Sequence, residues 1–179
     1  EGLRRLEYRG YDSAGIATLD GTDIHCIKVE GNVAGLGGAI EQVKPNGRTG
    51  IAHTRWATHG VPSVANSHPH RAPNVAVVHN GIIENHAELR RELQGKGCTF
   101  ISQTDTEVIP WMLSQELASG TEPHDALVRT TKKLEGSYAT AFVTDRAPGE
   151  IFAARKGSPM IAALGKDGGY LSSDLNALA

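Results

Sequence analysis

Gly50-Ile-Ala-His-Thr-Arg-Trp-Ala-Thr-His-Gly60 and Asn74-Val-Ala-Val-Val-His-Asn-Gly81 share one layout, an apolar run that stops at a group of polar side chains. Gly50–His53 and Asn74–Asn80 each read as buried strands, the second because Val75, Val77 and Val78 are β-branched and suit a pleated surface. Sites gather on the loops that leave strand ends, so the residues that follow are the first candidates for chemistry. Between the two runs, Thr54–Pro73 is rich in His, Pro, Asn and Ser and has no period. An aperiodic stretch of that length inside a compact domain is usually functional.

Toward the N-terminus, Ala14–Leu19 and Ile24–Val29 read as strands of a hairpin across Asp20-Gly-Thr-Asp23. Gly2–Glu7 reads as the tail of a helix, with Leu3 and Leu6 on one face. Val33–Val43 fits a short helix, although Gly35, Gly37 and Gly38 each cost it roughly 1 kcal/mol relative to alanine. Toward the C-terminus, Asn85–Gln94 is a helix with Leu89 and Leu93 four apart and Gly95 and Gly97 placed to stop it. Thr104-x-x-Glu107 matches a capping box ahead of Val108–Leu117, a helix that tolerates Pro110 only in its first turn. Pro123 opens another helix to about Leu134, and Ser137–Thr144, Ile151–Ala154, Met160–Leu164 and Tyr170–Ser172 read as strands. Strands, then helices, then strands predict a layered α+β fold in one domain, without repeat or linker.

At 179 residues and 39% hydrophobic, the chain is long enough for a core that needs neither disulfide nor metal. Eighteen basic against twenty acidic residues leave −2, so the field that neutralises phosphates is missing and no nucleic-acid partner is expected. No apolar run approaches the ~20 residues of a membrane span, and Glu1-Gly-Leu-Arg-Arg5 lacks the layout of a signal peptide. Cys26 and Cys98 form neither a CxxC pair nor a zinc spacing, which favours a reducing cytoplasm. Glycine, 21 of 179 or about 12% against a background near 7%, points to loops that carry the function.

Arg55 is suited to bidentate capture of a carboxylate, against the plainer alternative of a surface ion pair with Trp56 in the core. Asn80 and Gly81 offer a side-chain amide N–H and a backbone N–H that can converge on one oxygen, an uncharged oxyanion hole; the alternative is an ordinary Asn-Gly turn. Asp105, at the expected start of a helix, either caps that helix or pairs with the ammonium of a small substrate, complementing Arg55. An amino acid carries both of the groups so recognised. Eight histidines, with His68-Pro-His70 beside His53, His59 and His79, raise a metal site. The tight spacing and acidic partners of motifs such as HExxH are missing, so no metal is expected and His68 and His70 are assigned to shaping the loop. Cys26, alternating within a strand, and Cys98, opening one, are expected to be small apolar fillers and not nucleophiles.

Arg9-Gly-Tyr-Asp-Ser-Ala-Gly15, His53-Thr-Arg-Trp-Ala-Thr-His-Gly60, Asn66-Ser-His-Pro-His70, His79-Asn-Gly-Ile-Ile-Glu-Asn-His86 and Gln103-Thr-Asp-Thr-Glu107 together resemble the glutaminase domain of the glucosamine-6-phosphate synthase family, the isomerising glutamine–fructose-6-phosphate aminotransferases. Single motifs of this kind are shared with amidophosphoribosyltransferase and asparagine synthetase. The Thr-Arg-Trp-Ala-Thr-His-Gly and Asn-Gly-Ile-Ile-Glu-Asn runs favour the hexosamine-forming family, and the resemblance runs from end to end of the chain.

The resemblance implies an N-terminal-nucleophile hydrolase fold, a four-layer α/β/β/α sandwich of antiparallel sheets. In it an N-terminal cysteine attacks the side-chain amide of glutamine, with its own α-amino group as base. It implies that Arg55 binds the α-carboxylate of glutamine and Asp105 its α-amino group, and that Asn80 and Gly81 form the oxyanion hole. It further implies that Trp56 gates the ammonia path, Thr58 and His59 line the glutamine pocket, and Arg9 helps hold the N-terminal region. No cofactor is implied. The partners implied are a C-terminal sugar isomerase domain and, at full length, further copies of the chain.

The family's N-terminal Cys-Gly-Ile stretch is not found ahead of Glu1, and its last strands are not found after Ala179. The expectation is therefore a glutaminase domain spanning 1–179, truncated at both ends and silent by itself, with apolar sheet surface exposed where strands would pair. Its alternatives are a glutamine-binding paralogue without a nucleophile, the glutaminase domain of another amidotransferase, and a metal-dependent hydrolase built on the histidines.

Overall fold

Alternation along the strands decides which side chains meet which layer. In the computed structural model, which describes residues 1–57 and 60–179, β1 (Ser13–Asp20) pairs antiparallel with β2 (Asp23–Glu30) on one side and β3 (Thr49–Arg55) on the other. Ala14 and Ile16 of β1 pack on Val33 and Leu36 of helix α1 (Val33–Val43), whereas Ala17 and Ile51 face a second sheet. That sheet runs in the order β4 (His70–Ala72), β5 (Val75–Ile83), β6 (Gly136–Thr144), β7 (Phe152–Lys156). Ala76, Ala141 and Val143 meet the first sheet, while Val75, Val77, Tyr138 and Phe142 lie beneath α2 (His86–Gly95), α3 (Val108–Ala118) and α4 (Pro123–Thr131). The layers are therefore α/β/β/α. The hairpin of β8 (Ile161–Gly165) and β9 (Gly168–Ser172) follows.

The bulk of the core lies on the helical side of the second sheet, where Ile109, Leu113 and Phe142 are fully buried. Each such side chain contributes roughly 1.5–3 kcal/mol relative to exposure. Between the sheets the buried residues are mostly small, Ala17, Ala76 and Ala141 among them. At one end the segment before β4 crosses the first sheet so closely that a Cβ on Gly15 would strike the His68 carbonyl oxygen.

Helix α1 forms in spite of its glycines because Asn32 accepts a capping bond from Gly35 N (3.1 Å) and Val33 and Leu36 are buried. Pro110 is the third residue of α3, where its missing N–H has no partner to lose. Several expectations are corrected. Gly2–Glu7 is not α-helical; Arg4–Arg9 is a 3₁₀ segment with no fully buried residue, and Leu3 ahead of it packs against the cluster of Ala14, Val33 and Leu36. Helix α4 stops at Thr131 because Lys133 and Leu134 turn back to the carbonyls of Thr130 and Thr131. Cys98 opens no strand and sits in the core cluster under α2 and α3. Thr104 and Glu107 form no capping box. The Glu107 carboxylate, 1% exposed, accepts from Ile101 N, Ser102 N and Ser102 Oγ, because a buried charge takes the donors of the loop that covers it. β4 lies inside the aperiodic stretch and is too short to show a period.

Candidate active site

A cleft of about 1260 Å³ opens between the two sheets and is lined by His53, Arg55, Trp56, Asn80, Gly81 and Asp105, together with apolar residues of β8 and β9. β3 supplies the first group. It runs on to Arg55, two residues further than its apolar run, because Thr54 and Arg55 still pair with Ala14 and Ser13 of β1. Ile51, His53 and Arg55 alternate on the inter-sheet face. Arg55 is only 5% exposed, and its Nη2 donates to the Gly60 carbonyl at 3.1 Å. It is not a surface ion pair. Trp56 is 58% exposed and edge-on to Tyr11, with ring centroids 5.5 Å apart, so it is not a core residue. Asp12 holds the chain that follows by accepting from Ala57 N.

β5 supplies the second group, and the structure corrects the turn alternative at Asn80-Gly81. The strand continues through Ile83, with Asn80 opposite Ala139 and Gly81 opposite Tyr138 of β6. Gly81 has φ +130, and a Cβ there would collide with the Ser137 carbonyl, so glycine is what lets the two strands stay paired. Alternation turns Asn80 toward the first sheet, where its Oδ1 lies 2.9 Å from His53 Nε2. His79 is turned the other way, with Nδ1 2.9 Å from Thr106 Oγ1 in the loop just before α3.

Asp105 comes from the loop before α3 and is 7% exposed. It caps no helix; its Oδ2 accepts from Ile83 N at 2.8 Å, where β5 has run past the end of the short β4 and its edge is unpaired. The loop is fixed from three sides. Arg90 of α2 donates to the carbonyls of Ser102 (2.9 Å) and Thr104 (2.8 Å) and lies 4.3 Å over the Phe100 ring. Glu107 gathers the donors of Ile101 and Ser102, and Asn66 exchanges hydrogen bonds with Gln103, accepting from its N at 2.8 Å and donating to its Oε1 at 3.2 Å. Arg90, Glu107 and Asn66 were not singled out from the sequence as site residues. Nothing local separates Arg90 from Arg91, whose Nε turns back to Ala87 O in its own helix.

His68 and His70 are buried in the segment they were expected to shape. The His68 ring stacks on His53 at 4.1 Å and meets His70 edge-on at 4.7 Å, and His70 Nε2 reaches Thr104 Oγ1 at 3.1 Å. Burial lowers the pKa of His53, and that of His68 and His70 well below the ordinary imidazole range; it pushes His79 down to about 4, against an opposing pull from Asp105. Among the described residues no group of three or more His, Cys, Asp or Glu is arranged to hold a metal ion. Burial raises both thiols, and neither lines the cleft: Cys98 is in the core, and Cys26 lies against the Pro69 carbonyl at 4.0 Å. Arg9 reaches Ser173 O (3.4 Å) and Asp174 (3.8 Å), joining the first turn of the chain to its last. Thr58 and His59 lie outside the described residues.

Over residues 53–179 the chain matches the glutamine amidotransferase domain family, and it belongs to that family. Its α/β/β/α stacking is the N-terminal-nucleophile fold of these amidotransferases: glutamine phosphoribosylpyrophosphate amidotransferase from B. subtilis, 27% identical, superposes with a TM-score of 0.84 over 99% of this chain and 39% of that one. Two curated relatives carry the name glutamine–fructose-6-phosphate aminotransferase (isomerizing). The protein from Shigella flexneri is 50% identical and that from Vibrio parahaemolyticus 51% identical, each over 99% of this chain. The chain spans 29% of the length of each.

Proposed function

We propose that this domain hydrolyses the side-chain amide of glutamine and passes the ammonia to a sugar isomerase domain of the same full-length protein, which converts fructose 6-phosphate to glucosamine 6-phosphate. The observation that carries the reading is that one cleft is lined by a buried guanidinium, a buried carboxylate and the Asn80-Gly81 pair. Arg55 binds the α-carboxylate of glutamine and Asp105 its ammonium, which leaves the side-chain amide toward β5. A thiolate adds to the amide carbon, the carbonyl oxygen gains the charge, and Asn80 Nδ2 and the Gly81 N–H stabilise it. In an antiparallel ladder N–H groups alternate between the two edges, so that of Gly81 shares the edge of the Ile83 N–H, away from β6. Ammonia leaves past Trp56, and water releases glutamate from the thioester.

Neither Cys26 nor Cys98 lines the cleft, so the thiolate comes from outside residues 1–179, as an N-terminal cysteine whose own amine is the base. Residues 1–179 are in this reading part of the glutaminase unit. Thr58 and His59 complete the glutamine pocket, and Arg9 steadies the N-terminal segment. In this reading the full-length protein is a cytoplasmic homo-oligomer. Among the described residues no helix is long and apolar enough to cross a membrane.

The test is glutamate release by the full-length protein. Arg55→Met should raise KM for glutamine about 100-fold, on the order of a lost charge-assisted bidentate pair. An unchanged KM would overturn the assignment. The likeness to phosphoribosylpyrophosphate amidotransferase supports a second acceptor, and glutamine-dependent amination of phosphoribosyl pyrophosphate in place of fructose 6-phosphate would decide for it.

A further inference from the structure

β3 and β5 belong to different sheets, and a side-chain hydrogen bond joins them across the cleft, between His53 Nε2 and Asn80 Oδ1 at 2.9 Å. An amide oxygen only accepts, so the imidazole donates, and its proton sits on Nε2. Turning the Asn80 amide over would set Nδ2 against Nε2 and force the imidazole proton onto Nδ1. That nitrogen is buried and has no partner among the described residues, and an N–H is poorly tolerated there. The ring cannot swing away to relieve this, because it is stacked on His68 at 4.1 Å with an angle of 24° between planes. Burial also lowers the His53 pKa, which keeps Nδ1 bare at neutral pH.

We propose that His53 is a positioning residue for amide hydrolysis: its Nε2–H fixes Asn80 Oδ1 and so turns Nδ2 toward the developing oxyanion. This rests on the glutaminase reading. The two ends of a planar amide point apart, so securing the oxygen on one side of the cleft presents the N–H groups on the other. Without the bond the amide is free to present its oxygen, a lone pair against a negative charge, and the donor is lost for the fraction of time it is reversed. A donor in an oxyanion hole is worth on the order of 10²–10³ in kcat, which sets the upper limit of the effect.

The experiment is a double-mutant cycle in the full-length protein, read as kcat and KM for glutamine hydrolysis. Asn80→Ala should lower kcat by 10²–10³. His53→Phe, which keeps a ring to stack on His68, should lower kcat by at least about two-fold, the loss for an amide reversed half of the time, and by at most 10²–10³, with KM unchanged within error, and should cost nothing further in the Asn80→Ala background. His53→Gln, able to donate an N–H, should recover most of the loss and serves as the folded reference if the Phe variant is unstable. Equal losses from His53→Phe with and without Asn80 would overturn the positioning role, as would a Gln variant no better than Phe. An Asn80→Ala variant with full kcat would instead overturn the glutaminase reading beneath it.

Discussion

Acidification from pH 7.5 to 5.5 is expected to remove about 4 kcal/mol of folding stability, through the histidines around the cleft. His68 and His70 are held well below the ordinary imidazole range of about 6.5 and His79 at about 4, in each case chiefly by burial. The unfolded chain takes up protons at these rings as pH falls through 6.5, while the folded chain does not. Stability is therefore complete above 6.5 and falls on the way down toward the folded values. For one ring neutral throughout in the folded state, the two-unit change costs about 1.4 kcal/mol, so three cost about 4 kcal/mol, and His53 adds to the loss in the same direction. That is a large part of the 5–15 kcal/mol that a domain usually has. Glu92 and Asp174, lowered by hydrogen bonds from Lys96 and Tyr8, lose their contributions only as pH falls below about 4.5, outside this window. Urea unfolding followed by tryptophan fluorescence measures the effect; with a slope near 2 kcal/mol/M the midpoint should drop by about 2 M. A midpoint constant within about 0.3 M, or imidazole NMR signals from these rings titrating near 6.5, would refute the reasoning.

Gly81→Ala is expected to destabilise the protein by more than about 2 kcal/mol and to abolish glutamine hydrolysis, since its Cβ meets the Ser137 carbonyl at a backbone angle that L-residues avoid; an unchanged Tm would count against the account of β5. Arg90→Met keeps the apolar stem over Phe100 but strips the donors from the Ser102 and Thr104 carbonyls. It should raise KM for glutamine through a loosened Asp105 while kcat changes little, and Arg90→Lys should not restore it, because one ammonium cannot repeat the fork. Kinetics that move kcat alone would contradict the clasp.

Much of the layering was legible because it is written in short-range period. The valines of β5 and the four-residue spacing of Leu89 and Leu93 each point to their layer without reference to the rest of the chain. Arg55, Asn80, Gly81 and Asp105 were each ambiguous alone, and only the combined motifs drew them together. What stayed hidden depends on partners far along the chain. Asn-Gly prefers a turn locally, and only pairing with Ala139 and Tyr138 keeps it extended. Asp105 looked like a cap because its acceptor role toward Ile83 is set by where β4 ends. Glu107 resembled half of a capping box, and its burial under the loop redirects it.

The bond between Asp105 and Ile83 has a bearing on which amino acid is accepted. Asn80 and Ile83 are three residues apart on one extended strand, about 10 Å by the rise of such a chain, and Asp105 is fastened to the second of them. In the proposed roles, the carboxylate that grips the ammonium and the donors that meet the reacting amide are thus both tied to one strand, and the rise of that strand sets their spacing. In that reading the strand is a gauge, and asparagine, one methylene shorter, should be hydrolysed far more slowly than glutamine without any wall to exclude it.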